Sequence, residues 1–403
     1  MHQKIILGYS GGLDTTTAIP WLKDQYGFDV ITVTIDVGQE EDFDLIGSRS
    51  PLLGAVKHHH IDAKTDFADQ FIAKAIKANG LYQGEYPLST ALARPLIASK
   101  LVSIAHREGA TAIAHGCTGK GNDQIRFDLM INALDPELKI VAPVREWGLN
   151  REQEVKYLES KGFEAPSNHS EFSVDKNLWG RSVEGGTLED PWVEAPQEAL
   201  EWTLPPEAWS NEPLLLTIGF EKGLPVSING KKEPLSELIT ELNRVAGSYG
   251  IGLIDHVEDR TIGIKSREVY ECPAAILLLK AHTHLEKLVL SRAQAAFKPL
   301  VEREWTWLVY SGLWVDPLLG NLDALIESTQ EFVTGDVRLK LFKGSCRVVG
   351  RTSPYALYDK QLSTYGVNST FDQQAAEGFI KLWGLPSVMA SRRRLLKAKE
   401  VIA

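Results

Sequence analysis

Cysteine is scarce in this chain. Its three cysteines, Cys117, Cys272 and Cys346, lie far apart and form no CxxC pair, which argues against a disulfide framework or a thiolate zinc site and for a reducing compartment. Basic residues are outnumbered: 43 Lys and Arg face 53 Asp and Glu, a net charge of -10. That balance disfavours nucleic acid as a partner. Long apolar runs are missing as well. The run at 274–279 is too short to cross a bilayer, and the one inside MHQKIILGYSGG is too short for the core of a signal peptide. The expected location is cytoplasmic, with no membrane partner. Internal repeats and low-complexity tracts are absent too.

What is present is an ordinary globular composition, 43% hydrophobic and 24% charged. The length of 403 residues exceeds what one hydrophobic core usually serves, so two domains and a terminal extension are expected. Over residues 1–166, β-rich stretches at 4–9, 29–35, 112–115 and 139–144 alternate with helix-length amphipathic ones. In 65–79, Phe67, Phe71, Ile72, Ala75 and Ile76 share one face, with Thr65 as the cap and Gly80 as the stop. Strand, crossover helix, strand predicts an α/β fold with a doubly wound parallel sheet, a nucleotide-binding architecture. Pro20 predicts a kink or a late restart in the first helix. A stretch rich in Pro, Trp, Glu and Asn near 166–212 marks a boundary and a long functional loop. An α+β second domain is expected over 167–366. In the tail, 367–403, Arg392, Arg393 and Arg394 beside Leu395 and Leu396 give the pattern of an exposed amphipathic helix.

Ligands of such sheets sit at the carboxyl ends of the strands, where the strand order reverses, and two glycine-rich loops fall there. GYSGGLDTT (8–16) runs from the first strand into a helix and has no lysine, unlike the GxxxxGK[ST] loop that grips a phosphate to be transferred. Glycines let a phosphate approach the free N–H groups of the helix start, the hydroxyls of Ser10, Thr15 and Thr16 surround it, and Asp14 is suited to orient a magnesium ion bound to it. The second loop, HGCTGKGNDQIRF (115–127), presents Thr118, Asn122, Asp123 and Arg126 at a helix start, with Asn122 and Arg126 one turn apart on one face. Asp123 and Arg126, at i and i+3, read equally as a surface ion pair. Cys117 reads as a tolerated small residue and not a nucleophile. His58, His59 and His60 do not suggest a metal site, because consecutive strand residues point to opposite faces; no protein-only metal site is expected.

The first loop matches the SGGxD[ST] pattern of the ATP pyrophosphatase superfamily, whose members attack the α-phosphate of ATP and release pyrophosphate. With the second loop, and with IDVGQEEDF (35–43), LYQGEYPLSTALARP (81–95), FSVDKNLWGRSVEGGTLEDP (172–191), IDHVEDRTIGIKSREVYE (254–271) and AEGFI (376–380) in family order, the chain resembles the argininosuccinate synthases from about residue 4 to about residue 380. That resemblance implies a carbon–nitrogen ligase of arginine biosynthesis, which joins L-citrulline to L-aspartate with ATP and Mg2+ through a citrullyl-adenylate. It also implies a homotetramer. Carried over residue by residue, it implies ATP binding by Gly8, Tyr9, Ser10, Gly11, Gly12, Leu13, Asp14, Thr15, Thr16 and Gly116. Thr118, Asn122 and Asp123 would hold aspartate, while Tyr86, Asn122, Arg126, Ser173, Ser182, Glu258 and Tyr270 would hold citrulline. Asp14, Asp123 and Arg126 are the expected catalytic set.

Taken singly, several of these residues have plainer readings: Tyr86 and Tyr270 as packing residues, Ser182 as a helix cap, Glu258 as one of several solvated acids. Three positions depart from the family pattern, Ala91 where a serine is expected, Asp259 for asparagine and Glu268 for glycine. Two other functions stay open at this point, another pyrophosphatase-loop enzyme such as a tRNA-thiolating one, and a nucleotide-binding protein without turnover.

Overall fold

The computed structural model describes residues 3–166 and 171–400, with side chains through 397. Five parallel strands, β1 (Lys4–Gly8), β2 (Asp29–Asp36), β3 (Lys57–Asp62), β4 (Ala112–Ala114) and β5 (Lys139–Val141), form a sheet in the order β3-β2-β1-β4-β5. Both faces are covered, which is why the inner strands read as nearly unbroken apolar runs. Along β1 the alternation is visible: Ile6 joins the larger core, whereas Ile5 and Leu7 join the core on the opposite face with Ile19, Leu22 and Val30. The order reverses between β1 and β4, so the loops that follow these two strands face each other across the switch point.

Two local expectations are corrected. The helix Leu13–Tyr26 runs through Pro20 without a restart, and residues 15–22 are buried, so packing offsets the lost hydrogen bond. The amphipathic stretch after β3 starts at Lys64 with no side-chain cap from Thr65, widens into a π turn over Ala68–Ile72 and ends at Lys77. Asn79, with φ 44, takes the left-handed conformation expected of Gly80.

Beyond residue 171, β6 (Ser173–Asn177) and β7 (Gly180–Glu184) form a hairpin, β8 (Leu214–Glu221), β9 (Leu224–Ile228) and β10 (Lys231–Lys232) a meander, β11 (Leu253–Asp259) and β12 (Lys265–Glu271) a second hairpin, and β13 (Gly335–Phe342) and β14 (Ser345–Thr352) a third. The hairpins assemble into two antiparallel sheets, β11-β12-β7-β6 and β10-β9-β8-β13-β14. Helices Pro273–Val289, Arg292–Tyr310 and Pro317–Thr329 share the larger core with one face of the parallel sheet. Residues 1–355 form one compact unit and residues 356–403 another. The second unit contains the helices Ala375–Trp383 and Leu385–Glu400, and its large apolar side chains, among them Phe379, Ile380, Leu382 and Trp383, are exposed. No helix among the described residues is long and apolar enough to cross a membrane.

Candidate active site

The loop after β1 is braced by its own hydroxyls. Gly11, at φ 77, lets the chain turn, and Gly12 caps the helix without a side chain. Ser10 Oγ accepts from Gly12 N at 3.3 Å and lies 3.2 Å from Thr15 Oγ1, while Thr15 and Thr16 donate back to the Gly12 and Gly11 carbonyls at 3.3 and 3.4 Å. The first turn therefore presents backbone N–H groups and the positive end of the helix dipole to the space above. Gly116, in the loop after β4, packs directly on this loop: a Cβ there would stand 2.9 Å from Thr15 Cγ2.

In the second loop Asn122 precedes the helix Asp123–Leu134 but does not cap it with its side chain. Its amide is diverted, donating to Tyr310 Oη at 2.9 Å and accepting from Thr261 N at 2.9 Å. Tyr310 donates to Glu258 Oε1 at 2.6 Å, and Tyr270 donates to Glu258 Oε2 at 2.7 Å. Burial and the neighbouring Glu258 carboxylate push both phenols up, so they remain donors at neutral pH. Tyr86 stacks on Tyr270 with ring centres 4.1 Å apart and accepts from Thr90 N at 2.9 Å.

Strand parity explains how distant segments meet on one wall. Ser182 pairs with Tyr270 across β7 and β12 and with Asp175 across β7 and β6, while Glu258 pairs with Ser266 across β11 and β12. Ser173, Ser182, Glu184, Glu258, Glu268 and Tyr270 therefore share one face of the small sheet. All six line a cavity of about 1240 Å3, together with both glycine-rich loops. That is more than one small ligand needs. Every expected site residue lines this cavity except Thr16, which is buried beneath the first loop.

Charge in the cavity is tightly paired. Burial raises the Asp123 carboxyl, but the guanidiniums of Arg94 and Arg126 more than offset this and hold it below the usual carboxylate range. Arg94 Nε donates to Asp123 Oδ2 at 2.9 Å, and Arg126 Nη1 donates to Oδ1 at 2.8 Å. Asp123 and Arg126 thus form an ion pair with Arg126 3% exposed, not a solvated surface pair. The Arg126 fork, expected to face a substrate carboxylate, rests on the Tyr310 carbonyl at 3.1 and 2.8 Å. Burial, with the Asp14 carboxylate and a hydrogen bond to it, pushes the Glu154 carboxyl up to about 8. Burial, with Glu184 and Glu258 adding to it, raises Glu268 well above its ordinary value against the opposing pull of Arg260.

Arg94, Glu154, Tyr310 and Arg260 were not singled out in the sequence. Only Arg94 carries a local signal, a lone cation among buried Leu92, Ala93, Pro95 and Leu96. Of the departures, Ala91 is buried outside the cavity and Thr90 lines it; Asp259 is turned to Gln83 and Lys265; Glu268 faces the cavity. His58, His59 and His60 point alternately, to Thr32, to Glu108 and to a stack on Phe43.

Two family models match the chain, the arginosuccinate synthase N-terminal HUP domain over residues 4–164 and the arginosuccinate synthase C-terminal domain over residues 172–390. The argininosuccinate synthase of Pyrococcus furiosus is 54% identical over 387 residues, covering 96% of this chain and 94% of its own. That of Dehalococcoides mccartyi is 53% identical over 401 residues, 99% of both chains. The enzyme of Pyrobaculum aerophilum is 52% identical over 392 residues, 97% of this chain and 99% of its own. By sequence, over nearly its whole length, the chain belongs to the argininosuccinate synthase family.

Proposed function

We propose that the protein condenses L-citrulline with L-aspartate at the expense of ATP, forming argininosuccinate, AMP and pyrophosphate. The observation that carries this reading is the meeting, in one cavity, of a lysine-free phosphate loop with Asn122, Glu258 and Tyr270, which are tied to one another by hydrogen bonds directly and through Tyr310. ATP lies along residues 8–16 and Gly116, with the α-phosphate toward the second loop. Citrulline lies against Tyr86, Asn122, Arg126, Ser173, Ser182, Glu258 and Tyr270, and aspartate against Thr118, Asn122 and Asp123. The ureido oxygen attacks the α-phosphorus, a P–O bond forms, and the bond to the β-phosphate oxygen breaks. Pyrophosphate leaves into the N–H groups above Gly11 and Gly12. The aspartate amine then attacks the ureido carbon, the C–O bond breaks, AMP departs and the amine proton is released.

Asp123, held ionised by Arg94 and Arg126, receives the α-ammonium of an amino acid, and Arg126 fixes its carboxylate and the Tyr310 backbone in place. No covalent enzyme intermediate is needed; positioning and electrostatics supply the rate. Asp14, in the first loop and with the Glu154 carboxyl against it, is the carboxylate that would hold magnesium with ATP, because this ion keeps most of its water and takes one or two protein carboxylates. Bound with ATP it would neutralise phosphate charge. Cys117 argues against a thiolating relative, since burial pushes its thiol up, away from a reactive thiolate. We place the enzyme in the cytoplasm as a homotetramer; the exposed apolar residues of the tail support the assembly. The test is release of AMP and pyrophosphate from ATP and magnesium, with each amino acid omitted in turn. Argininosuccinate formed only when both are present supports the reading, and no product under any condition refutes it.

A further inference from the structure

Arg260 occupies the turn between β11 and β12 and spends every part of its guanidinium on a different neighbour. Nε donates to Ser266 Oγ at 2.7 Å, Nη2 pairs with Glu184 and with Glu268 at 3.0 Å, and Nη1 reaches the Lys120 carbonyl at 3.3 Å. The first three partners belong to the small sheet. The fourth belongs to the loop after β4. One residue on, Thr261 N donates to Asn122 Oδ1 at 2.9 Å, so the same turn grips that loop twice. The side chain of Arg260 is only 11% exposed and lies on the cavity wall. With Nε, Nη1 and Nη2 all engaged, the planar fork is held in a single orientation.

Resting on the function proposed above, we infer that Arg260 is a positioning residue that couples the two amino-acid subsites, holding the aspartate loop at 118–123 in register with the sheet wall that faces citrulline. A substrate that orders the sheet wall then orders the aspartate loop in advance, so citrulline tightens aspartate binding, and by linkage the reverse holds. The hydrogen bonds of Arg260 and Thr261 end on Lys120 and Asn122, whereas the phosphate loop meets the loop after β4 only further back, where Gly116 packs on Thr15, so ATP binding feels the clamp less than aspartate binding does.

Arg260→Lys keeps the charge but removes the fork. Steady-state kinetics on the full-length enzyme should show the KM for aspartate raised about tenfold or more, the scale of a lost charge-assisted hydrogen bond, with the KM for ATP within about twofold of the parent. The dependence of aspartate KM on citrulline concentration should flatten. Glu184→Gln, which preserves volume, should produce the same pattern more weakly and serves if Arg260→Lys folds poorly. Unchanged aspartate KM in a folded variant, or equal rises for all three substrates, would overturn the coupling role. Lack of argininosuccinate synthesis by the parent enzyme would instead overturn the function on which it rests.

Discussion

Asp123 lies between two guanidiniums, and its titration has a definite sign. Its folded pKa lies below the ordinary 3.8, so the native state binds fewer protons than the unfolded chain on acidification; the stabilisation is full above 3.8 and drains as pH falls through the folded value. The stability difference between the parent and Asp123→Asn, followed by urea unfolding, should therefore shrink from pH 5 to pH 3. A constant difference would mean that the Arg94 and Arg126 pairs do not perturb this group. Arg126→Ala should raise the citrulline KM by about tenfold or more, since it releases both Asp123 and the Tyr310 carbonyl; an unchanged KM removes Arg126 from the site. Asp123 and Arg126 were legible in the sequence because loop and helix start place them together within four residues. Tyr310 and Glu154 were not, because their partners Asn122, Glu258 and Asp14 are brought to them only by tertiary packing.

At the scale of elements, the site depends on how closely two loops approach. Gly116→Ala would drive a methyl to 2.9 Å from Thr15 Cγ2, so the ATP KM should rise while citrulline KM moves little; the reverse pattern would contradict the packing described. The helices behind the site meet at Lys298, 2% exposed, which donates to the Lys77 carbonyl and pairs with Glu286 at 2.9 Å and Glu302 at 2.5 Å. Lys298→Met should cost about 3–5 kcal/mol in chemical denaturation, because it strands buried carboxylates. Four of the five parallel strands were legible from their apolar runs, and both loops from their glycines; the edge strand β3, KHHHID, carries no such run and was not among the stretches read as strands. The antiparallel sheets were legible only as a mixture of short strands and helices, since β7 pairs with β12 and β8 with β13 across long stretches of chain. The π turn at Ala68–Ile72 preserves the same apolar face as a regular helix, so no residue pattern announced it.

At the scale of the whole molecule, the first unit carries the cavity and every residue assigned to chemistry, and the second is a tail with an apolar face open to solvent. Deleting residues 367–403 should lower the molar mass found by light scattering from that of the proposed tetramer to that of a smaller species; an unchanged mass would remove the tail from assembly. The central claim concerns the path of one oxygen atom. If the ureido oxygen attacks the α-phosphorus and leaves with AMP, citrulline labelled with oxygen-18 in the ureido group must transfer its label to the phosphate of AMP, and mass spectrometry should find it there. Label retained in the amino-acid product, or found in pyrophosphate, would contradict the adenylate and the account of the site built on it.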